Sequence, residues 1–420
     1  MIKREIVPEI THWLGKEKIL VLKGARQVGK TTLLKHLKSY LEKKRPNSKT
    51  VYLQADNPKN QQIFDSPASL ELFLEQTSNF PNEYTFLMID EFQVINQAGL
   101  FLKNIFDQYK DKLQLIVSGS SSLEITKNTE FLTGRAIEFD IERISFKEYF
   151  DYFHSAETKK IPLENISEIE IFYKTFKSRI DIILKEYLIF GGYPEVMTTP
   201  KIADKEIVLE SIIKKYIEKD VTDFLKVENI SAFNSLIKLL SHKTGNLINK
   251  HELSNTVNAS FLTVNNYLDI LTGTYIIDLV TPYFKNIRSE ISKMPKSYLL
   301  DFGIRSFLLK SFTMDDIFDG NLIENFVYLA LISQIKKDRI HFYRTTSGSE
   351  IDFVIENNQG KIDLCEVKYR PKATTPVTMK NIEERYQNLV ARKIVITKET
   401  LKKEADTYFI PASIIPFVEL

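Results

Sequence analysis

The sequence predicts an α/β protein whose N-terminal third is a parallel β-sheet with helices on both faces. Apolar runs of strand type alternate with stretches of helical periodicity between residues 18 and 117, a pattern typical of parallel sheets. Residues 85–89 form a continuous apolar run, which is typical of a strand buried on both faces. From residue 144 the pattern becomes mainly helical, and a second α/β region follows near the C-terminus.

The composition is that of an ordinary globular protein, with 43% hydrophobic and 27% charged residues. The formal net charge of +2 provides no global field for nucleic acid, so any basic surface has to be local. The single cysteine, Cys365, excludes an intrachain disulfide framework, and no apolar run approaches membrane-spanning length. We therefore expect a cytoplasmic protein with several domains and no membrane partner.

The first predicted strand, at residues 18–22, leads into a glycine-rich loop with the phosphate-binding pattern G-x-x-x-x-G-K-[ST]. Glycines let the backbone approach an anion closely, and the N–H groups at the start of the next helix point toward it. Lys30 is expected to reach the β- and γ-phosphates of ATP, and the Thr31 hydroxyl to ligate Mg²⁺. The residues expected to bind the nucleotide are Gly24, Ala25, Arg26, Gln27, Val28, Gly29, Lys30, Thr31 and Thr32.

Two acidic residues, Asp90 and Glu91, follow the apolar run at residues 85–89. In open α/β sheets ligands bind at the C-terminal edge of the strands, which is where this pair lies. Asp90 is expected to hold the Mg²⁺ shell, and Glu91 to polarise the attacking water as general base. Together with the phosphate loop, the pair predicts Mg²⁺-dependent ATP hydrolysis.

A further strand, at residues 113–117, is expected between the strand that precedes the phosphate loop and the acidic strand. Ser118 and Ser120, at its polar end, are candidates for sensing the γ-phosphate, with capping of the next helix as the alternative. Arg135 precedes a predicted edge strand at residues 136–139. It is a candidate arginine finger, in cis or from a neighbouring subunit, and the alternative is an ordinary exposed arginine.

These motifs together resemble a family of prokaryotic AAA-like ATPases, of the AAA+ superfamily of P-loop proteins, that carry a C-terminal domain of unknown function. The stretches that carry the resemblance beyond the phosphate loop are Asp90-Glu91-Phe92-Gln93, Ser118-Gly119-Ser120-Ser121-Ser122, Leu132-Thr133-Gly134-Arg135, Phe190-Gly191-Gly192-Tyr193-Pro194-Glu195, Pro295-Lys296-Ser297-Tyr298-Leu299-Leu300-Asp301-Phe302-Gly303 and Glu324-Asn325-Phe326-Val327. The resemblance spans almost the whole chain and implies an AAA-like ATPase.

Residues 225–285 are predicted to form a winged helix-turn-helix. Residues 249–257 fit a first helix, Ser260 fits the N-cap of a second helix at 261–271, and residues 275–280 alternate as in a strand. Polar side chains on the second helix can reach base edges, and six cationic residues between Lys285 and Lys310 are candidates for gripping DNA phosphates. The polar side chains are Ser260, Thr263, Asn265 and Asn266. The alternative is a protein-docking module.

The C-terminal region contains a third group of chemically active side chains. Glu324 lies in a predicted helix at 322–331, and Asp352, Glu366 and Lys368 lie on two predicted strands joined by a turn at 357–360. This set resembles the PD-(D/E)XK nuclease core. The resemblance implies a restriction-endonuclease-like domain in which the three carboxylates hold Mg²⁺ and Lys368 orients or activates a water. Such folds also persist as binding scaffolds.

We divide the chain into an ATPase core (1–145), a helical lid and connector (146–224), a winged helix-turn-helix (225–285) and a nuclease-like domain (286–420). The leading interpretation is an ATPase whose nucleotide state controls a DNA- or protein-binding module. One alternative is a metal-dependent DNA nuclease licensed by ATP. The other is a non-hydrolysing nucleotide switch that acts as an interaction protein. The sequence also allows a homo-oligomer.

Overall fold

The computed structural model of the protein describes residues 2–120, 130–217, 221, 227–283, 294–313, 320–345, 348–386 and 389–420. The chain divides into two compact units. The N-terminal unit comprises Lys3–Arg143 and Gly273–Tyr275, and the C-terminal unit comprises Met1–Ile2, Ile144–Thr272 and Ile276–Leu420. Within the described ranges, no helix combines the length and apolar character that a membrane span requires.

The N-terminal unit is built on a five-stranded sheet in which every neighbouring pair is parallel. Its strands are β1 (Ile19–Lys23), β2 (Lys49–Gln54), β3 (Thr85–Asp90), β4 (Leu113–Gly119) and β5 (Ala136–Asp140). The spatial order is β2-β3-β4-β1-β5. The predicted parallel sheet is confirmed, and so is the predicted position of β4 between β1 and β3.

Helices cover both faces of this sheet. Ile19 and Val21 of β1 pack in one core with Leu70 and Leu102, whereas Leu20, which lies between them on the strand, is buried on the opposite face. The helices of the unit are Val7–His12, Lys30–Lys44, Pro67–Thr77 and Ala98–Tyr109, with short 3₁₀ turns at Pro58–Phe64, Phe92–Val94 and Glu130–Leu132. Because all neighbouring strands are parallel, all five strands end at the same edge of the sheet.

The C-terminal unit begins with a helical region. Its helices are Phe146–His154, Ile166–Phe190, Pro194–Thr198, Ile202–Lys215 and Ile230–His242. Ser145 and Glu148 form a capping box at the start of the first of them, which fixes where that helix begins. Phe146 and Tyr187 pack edge to face, and both rings contact Phe326 from a later helix.

Two of the family-like stretches dock against each other in this unit. Asp301 caps the helix Phe302–Leu309 by accepting from the Ile304 N–H at 3.1 Å, and it also accepts from the Gly192 N–H at 2.8 Å. A Cβ on Gly191, where φ is +71°, would lie 2.4 Å from both Asp301 oxygens. A Cβ on Gly303 would lie 2.4 Å from the Phe190 carbonyl oxygen. Gly191 therefore lets the backbone approach the Asp301 carboxylate, and Gly303 lets two backbone segments approach each other.

Two helices, Lys250–Val257 and Phe261–Gly273, are followed by an antiparallel hairpin of β7 (Ile277–Val280) and β8 (Lys296–Leu299). Ser260 accepts from the Thr263 N–H at 3.0 Å, so it does cap the second helix. The strand predicted at 275–280 begins later because Tyr275 has a left-handed backbone, with φ +61°. Lys285, Arg288 and Lys293 of the predicted basic stretch, and Ser121 and Ser122 of the serine run, lie outside the described residues.

The C-terminal sheet has six strands in the order β13-β14-β12-β11-β10-β9. They are β9 (Ile340–Arg344), β10 (Glu350–Glu356), β11 (Ile362–Lys368), β12 (Val390–Thr397), β13 (Lys402–Glu404) and β14 (Thr407–Pro411), and the accompanying helices are Phe302–Leu309, Gly320–Ile332 and Val377–Arg385. β10 and β11 form the predicted antiparallel pair, with Phe353 opposite Cys365. β6 (Ile161–Pro162) pairs in parallel with β15 (Val418–Glu419).

Candidate functional site

The phosphate loop lies between β1 and the helix Lys30–Lys44. A Cβ on Gly24 would lie 2.3 Å from the Ile141 carbonyl oxygen, so this position accepts only glycine. Gly29 (φ +98°) is left-handed and stands at the N-cap of the helix, where no side chain of the described residues occupies the cap. The first-turn N–H groups of this helix therefore provide an anion-binding position.

The side chains of the loop divide between the core and the surface. Ala25 and Val28 are buried, whereas Arg26, Gln27 and Thr32 are exposed. Ala25 and Val28 can therefore contribute only their backbone to a ligand. Arg4 was not predicted as a site residue. It donates to the Val28 carbonyl at 3.2 Å and to the Glu142 carbonyl at 2.6 Å, and so connects the phosphate loop to the residues that follow β5.

Lys30 directs its positive charge into the loop. Its side chain is buried, and Nζ donates to the carbonyl oxygens of Gly24 at 2.9 Å and Ala25 at 2.7 Å. An ammonium held at this position attracts the charge of a polyphosphate that the loop N–H groups bind.

Asp90 lies at the end of β3, fully buried, and three hydroxyl groups contact it. Thr31 donates to Oδ2 at 2.6 Å, Tyr52 donates to the same oxygen at 2.9 Å, and Ser118 donates to Oδ1. The side-chain oxygens of Thr31 and Asp90, the two predicted Mg²⁺ ligands, are thus adjacent. This pair fits Mg²⁺, which proteins hold through one or two side chains with substrate phosphates completing the shell.

Tyr52 is a site residue that the sequence analysis did not identify. It lies on β2 opposite Met88 of β3, so period-two alternation directs it to the same face as Asp90. Burial, together with the Asp90 charge, raises the pKa of the Tyr52 hydroxyl above its ordinary value, so the phenol stays protonated and donates. The only indication in the sequence is a tyrosine in the strand adjacent to the acidic strand.

Glu91, the predicted general base, follows Asp90 with a left-handed backbone (φ +54°, ψ +43°). Its Oε2 accepts a hydrogen bond from the Gln93 side-chain amide at 2.6 Å. The same amide nitrogen lies 3.3 Å from the Ser120 hydroxyl oxygen. Both predicted serines therefore contact the acidic pair, Ser118 directly through Asp90 and Ser120 through Gln93.

Arg135 is not brought to the phosphate loop of its own unit, which corrects the expectation of a finger in cis. It precedes β5, whose first residue pairs with Ile19 at the start of β1, whereas the loop follows the other end of β1. The guanidinium instead forms a two-pronged ion pair with Asp107, with nitrogen–oxygen distances of 2.7 and 3.0 Å.

A second cluster brings together the four predicted residues of the C-terminal unit. The Asp352 N–H donates to Glu366 Oε2 at 3.1 Å, the Val367 N–H donates to Asp352 Oδ2 at 2.8 Å, and Lys368 pairs with Glu366 Oε1. Glu324 accepts from the Tyr298 hydroxyl at 2.7 Å.

Lys296 lies at the centre of this cluster and was not predicted there. Its side chain is 3% exposed, and Nζ lies 3.0 Å from Glu324, 2.5 Å from Glu350 and 3.5 Å from Asp352. Glu350 is also paired with Arg344 at 2.7 Å. The expectation that Lys296 belongs to a phosphate-gripping surface is therefore wrong, because its charge is buried and neutralised by carboxylates.

The cluster shifts the pKa of its members strongly. Burial and the nearby Asp352 charge raise the pKa of Glu324 to about 7 and that of Glu366 to about 7. Burial alone would lower the pKa of Lys296, but the carboxylates outweigh it and the pKa is raised. Among the described residues, no three His, Cys, Asp or Glu side chains form a group that could hold a metal ion. As arranged, the cluster holds lysine ammonium groups and does not fit the expected Mg²⁺.

The strand order, the phosphate loop and the acidic pair define the N-terminal unit as a P-loop α/β domain. Residues 16–150 match the family model of an AAA domain. Residues 181–315 and 319–415 match two further families, each described as a domain of unknown function. The AAA match and the strand order agree on an AAA domain with a P-loop fold in residues 16–150. ATP hydrolysis and the nuclease-like and winged-helix assignments remain predictions.

The chain is also similar to uncharacterized proteins along most of its length. One from Methanocaldococcus jannaschii is 25% identical, with 94% of this chain and 84% of that protein covered. One from Haemophilus influenzae is 23% identical, with 79% of each covered. Among solved structures, domain III of the Thermotoga maritima replication initiation protein DnaA has 15% identity and a TM-score of 0.28, covering 49% of this chain and 89% of that one. The Aeropyrum pernix ORC1 protein in complex with DNA has 11% identity and a TM-score of 0.29, covering 73% and 89%.

Proposed function

We propose that the protein is a Mg²⁺-dependent ATPase whose nucleotide state controls the C-terminal unit. The observation that carries the proposal is the contact between the two predicted metal ligands, in which Thr31 donates to buried Asp90 at 2.6 Å beside the phosphate loop. This contact joins residues 59 positions apart at one edge of the sheet. An incidental glycine-rich loop would not require a buried acid at this place.

The roles of the side chains follow from their positions. Lys30 and the first-turn N–H groups bind the β- and γ-phosphates. Thr31 and Asp90 would hold Mg²⁺, which would supply positive charge to the transferring phosphoryl group. Glu91 accepts a proton from the attacking water. Ser118 and Tyr52 hold Asp90 in place, and Ser120 lies at the end of β4, where the predicted sensor belongs.

The test compares ATP turnover and ATP affinity in variants of the full chain. Lys30→Ala is expected to abolish both, and Glu91→Gln is expected to abolish turnover while a fluorescent ATP analogue still binds. Lys35→Ala, on the exposed side of the same helix, is the matched control and should behave as wild type. Full turnover in Lys30→Ala would refute the assignment. Binding without turnover in the wild type would instead support the nucleotide switch.

We further propose that the module predicted at residues 225–285, with β8 as the second strand of its wing, forms a winged helix that contacts DNA. Two helices with a capped second helix and an antiparallel hairpin support this order of elements. Asn266 and Leu262 are both exposed on the second helix. Asn266 is polar and could contact a base, whereas Leu262 is apolar and 78% exposed. DNA-stimulated turnover that is lost in Asn266→Ala would support DNA binding. If DNA does not stimulate turnover in the wild type, and Leu262→Ser nevertheless lowers turnover, the result would support protein docking.

A metal-dependent nuclease is the second candidate, and the convergence of Glu324, Asp352, Glu366 and Lys368 favours it. The buried ammonium of Lys296 among these carboxylates weighs against it, because it already neutralises them. If this candidate holds, the wild type should cleave supercoiled plasmid with Mg²⁺ or Mn²⁺. The variants Asp352→Ala and Lys368→Ala should not cleave it. Cleavage unaffected by both substitutions would indicate contamination.

A further inference from the structure

Gln93 holds the side chain proposed as general base and connects it to the neighbouring strand. Its amide nitrogen lies 2.6 Å from Glu91 Oε2 and 3.3 Å from Ser120 Oγ. A carboxylate only accepts hydrogen bonds, so the atom facing Glu91 has to be the amide nitrogen, and this fixes the orientation of the amide. One amide group thus connects Glu91, which follows β3, with Ser120, which follows β4.

The two N–H groups of the Gln93 amide leave the Ser120 hydroxyl hydrogen available for another acceptor. Ser120 Oγ accepts from Gln93, so its own O–H can donate toward an anion at the C-terminal edge of the sheet. The carbonyl oxygen of the Gln93 amide, Oε1, is buried and has no hydrogen-bond partner among the described residues.

The backbone of Glu91 makes external support necessary. Its left-handed conformation, with φ +54°, is unusual for a residue other than glycine, asparagine or aspartate. Because Glu91 lies just beyond the end of β3, the pairing of that strand does not fix the direction of its side chain. The 2.6 Å hydrogen bond from Gln93 holds one oxygen of the carboxylate, Oε2.

We propose that Gln93 is a positioning residue that orients the Glu91 carboxylate and links it to the γ-phosphate sensor Ser120. Held in this way, the Glu91 carboxylate is positioned to meet the attacking water. The proton passes from the water to Glu91, and the water oxygen bonds to the γ-phosphorus as the bond to the β,γ-bridging oxygen breaks. This inference rests on the proposed ATPase function.

The experiment measures kcat, KM and the affinity for a fluorescent ATP analogue in the full chain with Mg²⁺. Gln93→Met keeps the length of the side chain and removes both the N–H donors and the carbonyl acceptor. Because it removes a hydrogen bond to a charged group, it should lower kcat by about 10- to 100-fold. Analogue affinity should stay within about twofold, because the hydrogen bonds of Gln93 go to Glu91 and Ser120 and not to the phosphate loop. Gln62→Met, at an exposed glutamine of the same unit, is the matched control.

A double-mutant cycle separates positioning from general support. Ser120→Ala and Gln93→Met should together lower kcat by less than the product of their separate effects, since both remove the same linkage. Gln93→Glu should lose more turnover than Gln93→Met, because a second carboxylate faces Glu91.

The outcomes separate this inference from the proposed function. Wild-type kcat in Gln93→Met overturns the inference while Glu91→Gln remains inactive. Equal losses of kcat and analogue affinity also overturn it, because they would indicate a merely structural role. If the Glu91→Gln variant turns over ATP as fast as the wild type, the proposed function fails instead.

Discussion

Replacing Lys296 by methionine is expected to destabilise the C-terminal unit strongly. The substitution keeps the length of the side chain and removes an ammonium that lies 2.5 to 3.5 Å from three carboxylates. Removing one partner of a buried ion pair typically costs about 3–5 kcal/mol. Glu350 retains Arg344, Glu324 retains the Tyr298 hydroxyl and Asp352 retains the Val367 N–H. We therefore expect a loss near the lower end, about 3 kcal/mol of unfolding free energy.

The loss should depend on pH in a defined direction. The Glu324 pKa is raised from 4.5 to about 7 in the folded protein, even though Lys296 lowers it. Removing Lys296 raises that folded-state pKa further, so the variant binds protons more readily when folded than when unfolded. Folding stability then falls as pH rises from the unfolded pKa through the folded one. The destabilisation should therefore be largest above about pH 7 and should shrink toward pH 4.5.

Guanidinium unfolding of the full chain measures this effect with two probes. Trp13, the only tryptophan in the sequence, reports the N-terminal unit, whereas far-ultraviolet circular dichroism reports both units. The dichroism transition should shift in Lys296→Met, and the fluorescence of Trp13 identifies which unit has unfolded. Lys361→Met, at an exposed lysine in the turn before β11, is the matched control. A Lys296→Met variant as stable as Lys361→Met at every pH would refute the reasoning.

Three further predictions concern other parts of the chain. Tyr52→Phe removes one of three hydroxyl groups on Asp90 and should weaken Mg²⁺-dependent ATP turnover by about 3- to 10-fold; unchanged kinetics would show that Tyr52 is dispensable. Gly191→Ala would force a Cβ to 2.4 Å from the Asp301 carboxylate at a positive φ and should destabilise the C-terminal unit by about 2–4 kcal/mol, measured by denaturation; a tolerated alanine would contradict the described packing. The wild-type unfolding free energy should fall by on the order of 1–3 kcal/mol between about pH 4.5 and pH 7. Glu324→Gln should flatten that dependence only in part, because the pKa of Glu366 is also raised to about 7; a curve parallel to that of the wild type would exclude Glu324 as a titrating group.

The nucleotide site was predictable because its residues form short patterns attached to strands. Gly24, Lys30 and Thr31 follow β1 directly, and Asp90 and Glu91 follow β3. Parallel strands all end at the same edge of a sheet, so patterns at the ends of two neighbouring strands have to meet. The contact between Thr31 and Asp90 is the consequence.

Tyr52 and Gln93 were not assigned roles because neither belongs to a pattern that chemistry alone selects. Tyr52 becomes a partner of Asp90 only through the pairing of β2 with β3. Gln93 becomes a partner of Glu91 only because a left-handed residue turns the chain back at that point. Arg135 failed as a finger in cis for the same reason, since the register of β5 places it at the other edge of the sheet.

By itself, the sequence determined the parallel sheet, the phosphate loop, the acidic pair and the strand pair that carries Asp352 and Glu366, since local periodicity and motif spacing set these. The tertiary structure decided which charges meet. Lys296 is one cation among six in a stretch that looked basic, yet the pairing of β8 with β7 buries it among carboxylates more than two dozen residues away in the chain. A sequence gives only the number and order of its charged residues. The free energy of each charge depends on its burial and on the distance to its partners, which only the folded chain sets.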